Sequence, residues 1–459
     1  MRILAPITLG VLVSVASLAS AQSTNPADLQ RELQSSRAYL YSLESNGDNL
    51  HPSLTEPLSQ VADRLTRLGQ YAEAHATIDR AMQIVRSNEG LYTRAQIPLL
   101  QQKLDNLARW GNWSDARDQL EHVYWLYRTK VPVDAALTDH FMKLSDMHLR
   151  GVAGDLPEYQ IFHLRRAESA NRWAILVGEA IWGELDPRLG PMLYNLAKQY
   201  HIQAAAIQGG GRVASELRQV SPGASIMRDR ISARRFYYFA GLQAMKRIRS
   251  IYAEGQRTDP EARAMADLYL ADWQVLFGRD TEALSNYQLA YNGLQEAGLD
   301  AEQLDRFFRT PTLVPEPKFY PRLSQALQAK AEVPRPPVEL APNSLSETLF
   351  FAEWSPAFPF VRPPFQLDFG APLESNIAMF SFNLAGISDI ARWLSDRKKQ
   401  AFASVQEARL VQPRVETSDQ EALLLERLES LRFRPRLDRG VPKESAGTLM
   451  YQLAGEIPR

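Results

Sequence analysis

Leu65-Thr66-Arg67-Leu68-Gly69-Gln70-Tyr71-Ala72-Glu73-Ala74 is the stretch where one helical pattern stops and a second starts. Before the glycine, Leu58, Val61, Ala62, Leu65 and Leu68 keep the i, i+3, i+4, i+7 spacing of one helix face. After it, Ala74, Ile78, Ala81 and Val85 do the same. Two helices joined by so short a turn form an antiparallel hairpin.

The pattern returns along the chain. Leu104 and Leu107 lead into Gly111-Asn112-Trp113, followed by Ala116, Leu120 and Val123, and 42 positions separate Gly69 from Gly111. A third copy runs through Leu268, Ala271 and Val275 to Gly278-Arg279-Asp280, then Ala283, Tyr287 and Ala290. The lead-in Leu50-His51-Pro52-Ser53-Leu54 has a counterpart in Leu185-Asp186-Pro187-Arg188-Leu189. Self-similarity at such a period marks a helical solenoid. Between about 131 and 264 the pattern predicts helices without clear repeats.

These positions resemble the tetratricopeptide repeat. That family sets a small residue in the first helix, then glycine, an aromatic and alanine through the turn, and a later alanine in the second helix. Here the turn and packing set is Gly69, Tyr71 and Ala74, then Gly111, Trp113 and Ala116, then Gly278 and Ala283. The spacing exceeds the usual period of about 34 residues and is similar to the long-helix version found in kinesin light chains. The resemblance implies a solenoid whose concave surface binds peptides or helices. A glycine at a crowded turn also implies that valine there would be destabilising.

The start of the chain reads as an export signal. Arg2 is followed by an uncharged apolar run from Ile3 to Leu18, and Ala19-Ser20-Ala21 sets small residues before Gln22. Residues 1–21 are therefore expected to be cleaved. The run is shorter than the ~20 residues a spanning helix needs, and no later stretch is long and apolar enough to span. There is no cysteine, which removes thiol catalysis, thiolate metal sites and disulfides. Lys plus Arg total 52 and Asp plus Glu total 53, a net charge of -1. Such a balance gives no global pull on nucleic acid or anionic membrane.

Residues 29–309 are thus assigned to the helical repeats. Prolines crowd the next stretch, 310–365, which reads as a Pro- and aromatic-rich linker with some ordered structure. From 366 to 459 the pattern changes again. Ile377 to Leu384 alternates as a strand does, 408–415 is a second strand, 419–431 an amphipathic helix, and 433–437 and 448–453 are further strands. The chain as a whole is then mostly α, a repeat solenoid followed by a small α+β domain expected to fold alone.

That tail is similar to the C-terminal domain of TonB-type periplasmic proteins. The residues that carry the likeness are Phe433 and Pro435 after a helix, then Gly440 and Pro442 before the last strand. Phe382-Asn383-Leu384-Ala385-Gly386 resembles that family's first hairpin. The likeness implies pairing with a receptor segment by strand addition.

No residue pattern points to an active site, a metal or a cofactor. None of the seven histidines forms His-Glu-x-x-His, and Gly209-Gly210-Gly211-Arg212 lacks the Lys-Ser/Thr of a phosphate loop. The one basic stretch has Arg228, Arg230, Arg234, Arg235, Lys246, Arg247 and Arg249, with Phe236 to Phe239 between them. It reads as a solvated face paired with acids or, in the sharper reading, as a site for an acidic partner. The function expected is a periplasmic adaptor or scaffold that binds a protein or peptide partner of the cell envelope, with no nucleic acid. The alternatives are a TonB-like part of outer-membrane transport and, third, an envelope enzyme.

Overall fold

The computed structural model describes residues 26–452 apart from 46, 48, 210, 221–226, 228, 256–257, 332–347, 352–376, 397–400, 403, 413–421, 423–424 and 427. The chain is mostly helical. It divides into two compact units, residues 1–110 and 111–459. The expected signal segment lies outside the described residues. No helix among those described is long and apolar enough to cross a membrane.

In the first unit α1 (Pro26–Glu44), α2 (Thr55–Arg67), α3 (Tyr71–Glu89) and α4 (Gln96–Trp110) pack in chain order, each on the next. The stripe seen in the sequence is the buried one: Leu58, Val61, Ala62 and Leu65 of α2 face Ala74, Ile78, Ala81 and Val85 of α3. Polar side chains fix the helices in register. Thr66 Oγ1 donates to Asn106 Oδ1 at 2.9 Å, and Asn106 Nδ2 donates to the Tyr71 carbonyl at 3.0 Å. One asparagine on α4 thus ties it to both arms of the hairpin.

The turn closes by a left-handed glycine. Gly69 has φ +75°, and the Gln70 N–H reaches back to the Leu65 carbonyl at 2.9 Å. Gly278 repeats it at φ +68°, with the Arg279 N–H on the Gln274 carbonyl at 2.8 Å. Gly111 has φ +77°. The turn is not crowded as the sequence reading expected: a Cβ on Gly69 or Gly111 would meet nothing within 4 Å. The demand is purely one of backbone conformation. Gly69→Val and Gly111→Val should each cost about 1–3 kcal/mol. Gly69→Asn, which tolerates positive φ, should recover most of it. Thermal melts of the three variants check this, and equal loss for asparagine and valine would contradict it. The two lead-ins also match: Pro52–Leu54 and Pro187–Leu189 are both short 3-10 turns, capped by His51 and Asp186.

The second unit holds α5 (Trp113–Thr129), α6 (Ala135–Gly154), α7 (Gln160–Trp182), α8 (Gly190–Gly209), α9 (Gly211–Val220), α10 (Arg230–Glu254), α11 (Pro260–Leu276), α12 (Asp280–Glu296), α13 (Ala301–Phe308) and α14 (Leu323–Ala331). Successive helices pack together from α5 to α9 and from α10 to α13, and α8 also packs on α10 past the short α9. α11 is the central element. Every residue from Ala262 to Leu276 is buried except Arg263, the carboxylates of Asp267 and Asp272 included.

The strands follow within this same unit: β1 (Thr312–Val314), β2 (Thr348–Phe351), β3 (Ile377–Leu384), β4 (Val405–Gln412), β5 (Arg432–Arg434), β6 (Arg436–Asp438), β7 (Val441–Lys443) and β8 (Ser445–Gln452), with the short helix α15 (Ile390–Ser395) after β3. They pair as β2-β8-β3-β4, β1-β5 and β6-β7. β3 and β8 run antiparallel, Ile377 opposite Gln452 through Leu384 opposite Ser445. Phe380, Phe382, Leu384, Leu428, Leu431, Phe433 and Leu449 share one core with Leu313.

Leu313 corrects the expected boundaries. It belongs to the stretch read as linker, yet β1 pairs antiparallel with β5, Leu313 opposite Phe433. Phe319 and Leu323 of the same stretch are buried, and Phe319 stacks on Tyr252 and packs against Tyr194 and Tyr269. Residues 310–331 are therefore part of the folded unit, and the tail packs on the helices. The aromatic positions Trp354, Phe358, Phe360 and Phe365 lie outside the described residues.

Candidate functional site

The C-terminal motif residues lie in the joint between tail and helices. Phe433 is fully buried, its ring 5.1 Å from that of Phe382. Its neighbour Arg434 enters the helical part. The Arg434 Nε donates to Asp272 Oδ1 of α11 at 3.0 Å, and Nη2 donates to Asp272 Oδ2 and, at 2.5 Å, to Glu316 Oε1. Tyr287 of α12 also donates to Asp272 Oδ1, at 2.9 Å. Burial pushes the Asp272 carboxyl up, against the pull of Arg434. Pro435 is buried beside this lock. Gly440, at φ +75°, lies so close to α12 that a Cβ would come within 2.8 Å of the Gln288 Cα. The Pro442 carbonyl accepts the Ile387 N–H at 2.8 Å. All four motif positions thus serve contacts inside the chain.

The repeat positions are packing residues too. Ala74, Ala116 and Ala283 are buried, and Tyr71 is half-buried. Trp113 sits at the corner between α6 and α7, edge-on to His163 with ring centroids 5.6 Å apart. There His163 Nε2 meets Asp155 Oδ2 at 3.0 Å and His163 Nδ1 meets His148 Nδ1 at 3.1 Å. Arg117 closes the set with a 2.6 Å bond to Asp155. Burial pushes both histidines down, His148 furthest. Both rings are enclosed, so this Asp-His-His chain holds α5, α6 and α7 together and offers no open face to a substrate.

An accessible constellation lies on α5, α7 and α8. Arg166 sits over the Tyr124 ring at 4.9 Å, and Arg128 over the Trp173 ring at 4.7 Å. The Tyr124 and Ser169 hydroxyls are 2.7 Å apart, and Arg166 pairs with Glu121. Further along α7, Arg172 lies over the Tyr200 ring at 5.8 Å and donates to its hydroxyl at 2.5 Å. Trp125, next along α5, is 42% exposed.

A buried polar layer supports this face. Glu168, only 4% exposed, accepts from Arg165, Arg172 and Gln203, each at 3.0 Å. Gln203 accepts in turn from the Tyr237 hydroxyl at 2.9 Å. Burial and Glu168 push the Tyr200 hydroxyl up to about 12, so it stays a neutral donor and acceptor. Linked bonds of this kind fix rotamers. The Arg172 guanidinium, bonded to both Glu168 and Tyr200, is therefore held in place. Arginine and aromatic side chains so arranged are the chemistry of protein-binding hot spots.

In the sequence the basic stretch of α10 stands out more than this face does. The signal was present: Phe162, Arg165, Arg166, Ser169, Arg172 and Trp173 recur at helical spacing. What no spacing shows is that α5 and α8 set their own aromatics against it. Among the described residues, no group of three or more His, Cys, Asp or Glu could hold a metal ion.

No family model matches this chain, and no curated protein matches it. Among solved structures, that of BtubC (BKLC) from P. vanneervenii is similar to this chain at a TM-score of 0.32 and 15% identity, covering 60% of this chain and 92% of that one.

Proposed function

We propose that this chain is a helical-repeat scaffold, of the tetratricopeptide type, that binds a protein or peptide partner through the α5, α7 and α8 face. The observation that carries this reading is the set of arginines held over tyrosine and tryptophan rings above the Glu168 network. The repeated left-handed glycine turns support the solenoid part of it. Repeat arrays expose extended faces of this kind. The Ala19-Ser20-Ala21 pattern supports a periplasmic setting. N-terminal sequencing of envelope material should read from Gln22.

The rival reading, a TonB-like role in transport, needs the α+β tail to act as a separate module. The burial of Arg434 against Asp272 and Glu316 favours the scaffold. The test is site-specific photo-crosslinking in the envelope from Trp125 and Trp173, with exposed Leu91 and Leu289 as controls. A protein partner should crosslink from the first pair only, and Arg128→Glu with Trp173→Ala should abolish crosslinking from position 125. Equal crosslinking from all four positions would overturn the assignment of the face.

A further inference from the structure

The basic stretch of α10 divides in two. Two arginines of its C-terminal half are neutralised inside the fold: Arg247 pairs with Glu179 and Arg249 with Asp267, both at 2.5 Å. Among the described residues of its N-terminal half, no arginine has such a pair. Arg234, on α10, lies over the Phe277 ring at 5.7 Å, and its guanidinium comes to 4.0 Å from the position of a Cβ on Gly278. Arg279, in the turn before α12, lies over the Tyr238 ring at 5.2 Å. Those two rings are themselves 5.4 Å apart. Both cations therefore sit on one aromatic floor.

Arg432, at the start of β5, adds a third positive charge. Its own hydrogen bonds go to the Glu429 and Leu431 carbonyls. Among the described residues, none of the three has a carboxylate within the 4.0 Å of an ion pair. Burial, then Arg432 and Arg279, lower the Arg234 guanidinium below its usual range, as expected of unneutralised like charges. The nearest acids act at longer range: Asp280 on Arg432 and Glu282 on Tyr238. Beside the cluster, at successive turns of α10, stand Ile231, 81% exposed, Arg235, and Phe239, 48% exposed.

Three arginines left unpaired next to solvated apolar side chains lack one thing, an anion that also offers apolar surface. A guanidinium pairs with carboxylates in a planar, bidentate way, and exposed Phe239 and Ile231 would be wasted on a bare phosphate backbone. We propose that Arg234, Arg279 and Arg432, with Phe239 and Ile231, form a docking site for an acidic peptide segment whose carboxylates flank an apolar side chain. The site is separate from the α5, α7 and α8 face, so loss of one leaves the other to be measured.

The experiment uses the full chain and two fluorescein-labelled probes: a peptide of leucines flanked by glutamates, and its twin with glutamine for every glutamate. The glutamate probe should bind at least about tenfold tighter than its twin and weaken as salt rises from about 50 to 300 mM. Arg234→Gln with Arg279→Gln should weaken it about tenfold, and Phe239→Ser about fivefold, while Arg128→Glu on the other face changes nothing. The exposed Arg235→Gln, which removes no internal contact, should show a smaller loss and guards against misfolding of the double variant. Arg279→Glu should favour a lysine-flanked version of the probe. Equal binding of the two probes, full binding by the folded double variant, or equal binding of a single-stranded oligonucleotide would each overturn the proposal.

Discussion

Arg434→Met should destabilise the second unit by about 3–5 kcal/mol, the cost of leaving buried charges without their partner. Arg434 is 1% exposed, and its guanidinium is the cation shared by Asp272 and Glu316. It also lies between the rings of Tyr269 and Phe307, 5.6 and 5.5 Å from their centroids. Methionine fills much of the volume but leaves two carboxylates facing each other in the dry interior. Replacing all three, with Asp272→Leu and Glu316→Gln, should restore most of the stability, because the desolvation of the ions goes with them.

Urea titration followed by circular dichroism measures the loss, and limited proteolysis shows where it acts. Both the tail and α11 to α13 should become protease-sensitive together, since the arginine belongs to one and the carboxylates to the other. Phe433→Ala, expected at about 3–5 kcal/mol, should behave in the same way. A tail released while the helices melt unchanged would show that the lock is decorative and that the tail folds as its own unit.

Acidification should begin to destabilise the protein at about pH 6.5, above the range in which carboxylates protonate. Three histidines, His148, His163 and His201, are buried with lowered pKa values. Burial is the main cause for each. Arg234 and Arg432 add to it at His201, and His163 and Arg166 at His148. At His163 Asp155 opposes it in part. His201 is pushed down to about 3, whereas in the unfolded chain it titrates near 6.5. Below about pH 6.5 the unfolded state therefore takes up a proton that the folded state refuses. Stability from this group is complete above that pH and falls by about 1.4 kcal/mol for each unit down to the folded value.

At pH 5.5 His201 alone should cost about 1.4 kcal/mol, and at 4.5 about 2.7 kcal/mol. His148 and His163 act in the same direction. His201→Phe replaces the imidazole with a ring suited to its aromatic neighbours Trp273 and Phe277. Melting curves at pH 7.5, 6.5, 5.5 and 4.5 should show a shallower pH slope for this variant than for the parent, by one proton. Identical slopes would mean that His201 is not a proton-linked group.

The glycine turns and β3 are legible in the sequence because their signals act over short distances. Gly69 and Gly278 take positive φ in matching turns, as a glycine between two helical stripes must to let the chain reverse. β3 has the bounds its alternation predicts, Ile377 to Leu384. The lead-ins at Pro52 and Pro187 adopt the same short turn, since proline after a capping side chain favours it.

Long-range partners were hidden in the same letters. Arg434 reads as a surface charge on a strand, yet its partners lie 162 and 118 positions away in Asp272 and Glu316. Arg249 finds Asp267 and becomes part of the fold, while Arg234 on the same helix is left over to bind something else. Periodicity states which face of a helix is apolar, because that follows from a repeat of 3.6 residues within one segment. Which charges meet, and so which are consumed by the structure and which remain for a partner, depends on desolvation and on contacts between segments remote in the chain. By itself the sequence determined the left-handed glycine turns, the helical stripes around them and the alternation of β3; only the tertiary structure decided that the tail is locked to the helices and where the unpaired arginines converge.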